Sequence, residues 1–206
     1  MANNVTNYVE IIGNPMVIEK MDNLFQKSEE GPYNENLVRF VKTFWGESCE
    51  GIDGGSTKNL WMLDNAGAKW VYTENNIDEG HWNIQSANYP PVEFFIQLYK
   101  LAQEFDPSVE IKVKFQDESF EPVGGFSAKR DHEGVARYHL QENYELEEPE
   151  FDYDDEDYDD DQSSWYEEVD DIQNDCWSYA TDECWSGEAK EIEGLKKIEK
   201  YMDLYK

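Results

Sequence analysis

The chain has 206 residues, enough for one main core with an appendage, and its 39% hydrophobic and 15% aromatic content argues against global disorder despite a formal net charge of −30. That charge is concentrated: residues 1–137 hold 12 bases and 22 acids, residues 138–189 hold 21 acids and no Lys or Arg, and residues 190–206 hold 5 bases and 4 acids. Such a stretch is repelled by DNA, RNA and anionic lipid, because affinity for those polyanions comes from Lys and Arg releasing counterions, so the partners it can attract are basic surfaces or cations.

Taken in chain order, Val5 to Ile12 is rich in β-branched and aromatic residues and predicts a strand. Gly13-Asn14-Pro15 then supplies an N-cap with Pro at the first helical position, and Val17, Met21 and Leu24, with Ile18 and Phe25 beside them, recur at helical spacing to about Lys27. Leu37 to Trp45 leans to helix through Leu37, Phe40, Val41 and Phe44, and GIDGG after it reads as a loop. Asn59 to Asp64 is a short aromatic piece. KWVYTE and HWNIQSA predict two paired strands, the second alternating Trp82, Ile84 and Ser86 on one face.

Pro90-Pro91 opens the strongest predicted helix, with Phe94, Phe95, Leu98, Leu101, Ala102 and Phe105 on one broad face and Asp106-Pro107 as its stop. Val109, Ile111, Val113 and Phe115 alternate with Glu110, Lys112 and Lys114, as in a strand with one buried and one wet face. Gly124 to Arg130 and Val135 to Gln141 predict a hairpin across Asp131-His132-Glu133-Gly134. The expected class is α+β, an antiparallel sheet with helices on one face, ferredoxin-like, followed by an acidic helical C-terminal extension.

The segments NNVTNYVEIIGNP, LWMLDNAGAKWVY (Trp61, Gly67, Lys69, Trp70), HWNIQSANYPPVEFFIQLYKLAQEF and GGFSAKRDHEG together resemble the ferredoxin-like domain of phage and plasmid accessory proteins, the YubB type, over about residues 1–141. In place of the Trp-Gly-Thr-Lys-Trp of that family the chain has Asn65-Ala66-Gly67-Ala68-Lys69-Trp70, and the acidic region has no counterpart there. The resemblance implies a fold and a phage-like origin; it implies no activity.

Between Glu142 and Asp161, 13 of 20 residues are acids, interrupted by Tyr144, Phe151, Tyr153 and Tyr158. A block of like charge is commonly a solvating, disordered tail. A tail has no use for large aromatics, however, whereas a segment that settles on a partner can use them as anchors, and acids about 3.3 Å apart along an extended chain can imitate a phosphate row. After Asp161, Ser164 with Glu167 reads as a capping box, and Trp165, Val169, Ile172 and Cys176 continue at helical spacing, leaving Glu168, Asp171 and Asp175 on the other face. Ile192, Leu195, Ile198 and Met202 predict a last helix, packed on its neighbour or on the core, or forming the seam of a homodimer.

The expected partner-binding residues are Asp152, Tyr153, Asp154, Asp155, Glu156, Asp157, Tyr158, Asp159, Asp160, Asp161, Trp165, Glu168, Asp171 and Asp175, acting on a basic surface of a nucleic-acid-binding host protein. No catalytic residue, metal or cofactor is expected. His81, His132 and His139 are scattered, GGSTK at residues 54–58 lacks the Gly-Lys-[Ser/Thr] order of a phosphate loop, and an EF-hand starting at Asp152 would have Asp157 where Gly is needed. The competing expectation is a small-ligand or enzymatic pocket lined by Trp61, Trp70 and Trp82, with a merely solvating acidic tail. Cys49, Cys176 and Cys184 form an odd set without zinc spacing, and the start MANNVTNYVE has no basic or apolar leader, so an intracellular, reducing setting in a host cytoplasm, without membrane insertion, is expected.

Overall fold

The structure is a computed structural model that describes residues 3–25, 42–46, 55–118, 122–143, 164–171 and 189–198. The chain runs β1 (Asn4–Ile12), α1 (Pro15–Phe25), α2 (Gly55–Ala66), β2 (Val71–Asp78), β3 (His81–Ala87), α3 (Val92–Gln103), β4 (Glu110–Asp117), β5 (Val123–Arg130), β6 (Ala136–Asn143) and β7 (Lys190–Glu191). The seven strands form one sheet in the order β2-β3-β1-β4-β5-β6-β7, with every neighbouring pair antiparallel. The expected α+β class, an antiparallel sheet with helices, is what the chain adopts.

β1 is an interior strand of the sheet for a visible reason. Val5, Asn7, Val9 and Ile11 alternate as its buried face, and the strand pairs with β3 on one side and β4 on the other. Asn7 is the polar exception in this row; its amide donates to the carbonyls of Val5 and Ile84 and to Ser86 Oγ, each at 3.0 Å. α1 starts where its sequence places it: Asn14 Oδ1 accepts the Val17 N–H at 3.1 Å, and Val17, Ile18, Met21, Leu24 and Phe25 turn inward. α3 buries Phe94, Phe95, Leu98 and Ala102. Its aromatics extend into a series of ring contacts, Phe44 to Phe94 at 5.2 Å, Phe95 to Phe126 at 5.4 Å and Phe126 stacked on Tyr138 at 5.7 Å. All three helices contribute to one core cluster on a single face of the sheet.

Two elements differ from the sequence reading. The aromatic piece Asn59 to Asp64, and Gly55 at the end of the GIDGG stretch read as a loop, lie in α2, whose Met62 and Ala66 are fully buried. The glycines and the low amphipathicity of this segment hide a helix that packing on α3 sustains. The helix expected over Ile192, Leu195, Ile198 and Met202 is, in its described part, the short strand β7 followed by non-helical backbone to residue 198. Gly194 takes φ +86°, and the Ile192 and Ile198 N–H groups are spent on the carbonyls of Ala136 and Gly134. Of the helix expected over Leu37 to Trp45, residues 42–45 are helical and the remainder lies outside the described residues.

Candidate interaction surface

β6 ends at Asn143 and β7 begins at Lys190, with Arg137 opposite Glu191 and Tyr138 opposite Lys190. Residues 144–189, which hold most of the base-free acidic stretch, therefore connect two adjacent strands. The closing clasp is polar and largely buried. Arg130, 7% exposed, donates from Nε to Gln103 Oε1 at 2.7 Å and from Nη1 to the carbonyls of Gly134 at 2.8 Å and Lys196 at 3.0 Å. In the turn before β6, Asp131 Oδ1 accepts the N–H groups of Glu133 and Val135, and Oδ2 accepts Arg137 Nε at 2.7 Å. Burial alone would raise the Asp131 pKa, but the Arg137 side chain and the two backbone donors outweigh it and hold the carboxyl below its ordinary value. Burial, and the charge of Glu93, push the Tyr138 phenol up.

The face of the sheet away from the helices has its own composition, set by register. One cross-strand row reads His81, Glu10, Lys112, Ser127, His139; the next reads Asn83, Tyr8, Lys114, Gly125, Gln141. With Lys129 opposite Arg137 in the adjoining row, four of the bases of residues 1–137 share this face.

Residues 164–171 are helical and bear on this face. Trp165 and Val169, four positions apart, are 6% and 4% exposed and stand outside the core cluster between sheet and helices. Asp170 Oδ1 lies 3.6 Å from Lys114 Nζ. Glu167, Glu168, Asp170 and Asp171 are exposed.

Of the expected partner-binding residues, Glu168 and Asp171 are thus presented to solvent, while Trp165 is turned into the packing of its own chain rather than outward as an anchor. Asp152 to Asp161 and Asp175 lie outside the described residues, as do Cys49, Cys176 and Cys184. Asp170 was missed by the sequence reading, because its importance comes from Lys114, 56 positions away.

The three tryptophans considered as pocket walls engage different rings: Trp82 is fully buried against Phe25 at 4.8 Å, Trp61 meets Trp45 at 5.5 Å, and Trp70 meets Tyr72 at 5.5 Å. His81 Nε2 is 3.6 Å from Glu10 Oε1 on the surface. Among the described residues no group of three or more His, Cys, Asp or Glu side chains is placed to hold a metal ion, and no helix is long and apolar enough to cross a membrane.

Fold and surface together define an α+β protein whose sheet carries an acidic loop between two neighbouring strands. No family model matches the chain, and neither a curated protein nor a solved structure does.

Proposed function

We propose that this is a phage-type accessory protein that acts by binding, in a host cytoplasm, and that its acidic loop occupies the basic surface of a nucleic-acid-binding host or defence protein in place of nucleic acid. The observation that carries this reading is the connection itself: 20 acids without a base in residues 144–189, between two adjacent strands. Holding both ends lowers the conformational entropy lost when the connection meets a partner. The outward carboxylates of residues 164–171 add a helical array of the same sign. Asp152 to Asp161 supply most of the charge of the tract, with Tyr153 and Tyr158 as its apolar anchors.

A ferredoxin-like unit of the YubB type at the N-terminal end fits the same reading. β1, α1, β2, β3, α3 and β4 follow a βαββαβ order with β1 between β3 and β4, the arrangement of a split βαβ pair, and α2 is added before β2.

Because β7 belongs to the sheet, the test neutralises the loop rather than deleting it. The full chain and a variant with Asp152, Asp154, Asp155, Asp157, Asp159, Asp160 and Asp161 changed to Asn and Glu156 to Gln are used as bait in a bacterial host lysate. The native chain should retain a basic nucleic-acid-binding protein at about 50 mM salt and release it by about 500 mM, as screening shortens the reach of the charges. Equal recovery of the same protein by both baits would sink the proposal.

A further inference from the structure

The half of the outer face over β4 and β5 has the features of a built seat. Gly125 leaves no side chain between Lys114 and Gln141, and a glycine inside a strand marks a place where another element comes close. Of the outward positions of β5, Val123, Gly125 and Ser127 are buried and Lys129 is half-buried, whereas Tyr8 and Ile12, outward positions of β1, are 44% and 41% exposed. Ser127 is 1% exposed, and its hydroxyl has no hydrogen-bond partner among the described residues. The described element that bears on this half is the helical segment 164–171, through Asp170 on Lys114, with Trp165 and Val169 turned inward.

We propose that this seat is a docking site for an acidic, helix-forming peptide of another protein. Such a ligand has a large apolar side chain, a second apolar residue four positions on and a carboxylate directly after it, and residues 164–171 occupy the site in cis as its competitor. The cis occupant displays the chemistry that fits: Trp165 and Val169 supply the apolar pair and Asp170 the charge for Lys114. It is also a replaceable occupant. Neither apolar side chain belongs to the core cluster, and the ion pair is weak because 68% of the Asp170 side chain is in solvent. An outside peptide competes with a segment tethered to the same chain, so its apparent affinity is low until the cis segment is unseated. This proposal does not depend on the basic partner of the loop.

The probe is a synthetic peptide copying residues 163–172, titrated into the full-length protein and followed by NMR at the amides of Lys112, Lys114, Gly125 and Ser127. The native chain should show small shifts up to millimolar peptide. The full-length variant W165D/V169D, which cannot seat its own segment, should bind the peptide at least about tenfold more tightly, since the intramolecular competitor is gone. Adding K114E should abolish the gain and K114R should keep it. If W165D/V169D disturbs the fold, D170K replaces it: this variant should also bind more tightly, and K114D/D170K, which restores the cis pair with reversed charge, should exclude the peptide. Identical titration of the native and unseated chains, or a gain that survives K114E, would overturn the proposal.

Discussion

In the turn before β6, both carboxylate oxygens of Asp131 are taken, one by two backbone N–H groups and the other by Arg137, and the residue is 7% exposed. Asp106, between α3 and β4, is held in the same manner by the N–H groups of Asn14 and Ser108 and by the Ser108 hydroxyl. In the helical segment 164–171, by contrast, Glu167, Glu168, Asp170 and Asp171 all face water, and Asp170 pairs with Lys114 at 3.6 Å. Asp131 and Asp106 are structural parts whose charge is consumed by donors. The acids of residues 164–171 leave their charge to the outside. The two kinds of carboxylate should therefore differ in what each does to stability when changed.

The sharpest separation comes from the core. Trp82→Ala empties a fully buried ring site against Phe25 and should cost about 4 kcal/mol in denaturant unfolding. Gly124→Ala should follow at about 2 kcal/mol by overpacking. A Cβ at this position would stand 2.0 Å from the Gln141 carbonyl oxygen and 2.7 Å from the Phe115 ring, and backbone cannot move aside as a flexible side chain can.

Asp131→Asn should cost about 2 kcal/mol at neutral pH through the loss of charged hydrogen bonds. The same variant changes the response to acid. Both Asp131 and Asp106 have folded-state pKa values below the ordinary 3.8, in each case because hydrogen bonds outweigh the opposing effect of burial. Their stabilisation is therefore present above the unfolded value and is lost as pH falls through the depressed folded values. Asp131→Asn should flatten that acid limb, measured by thermal melts between about pH 5 and pH 2.

The smallest effect is expected at the surface pair. Lys114→Gln should change global stability by less than about 1 kcal/mol, because Asp170 is largely solvated. Its consequence should be local, as faster amide exchange in residues 164–171. A loss of global stability comparable with that of Trp82→Ala would erase the distinction between domain and loop.

Much of the fold is legible from local pattern. α1 follows from the Asn14-Pro15 start and its periodic apolar face, α3 from its prolines and aromatic face, and β4 from strict alternation, because each of these depends on residues only a few positions apart. The position of the charge is likewise a property of the sequence alone. α2 was obscured because its helix depends on contacts with α3 rather than on a regular apolar stripe of its own. Tertiary structure alone decided that the acidic stretch connects two neighbouring strands. Residues 190–198 have helical spacing of apolar side chains, yet the unpaired edge of β6 and the Arg130 clasp claim their backbone, and neither can be read from the segment itself. The meeting of Asp170 with Lys114 is of the same kind: strand register and a helical docking place two residues together that no local rule connects.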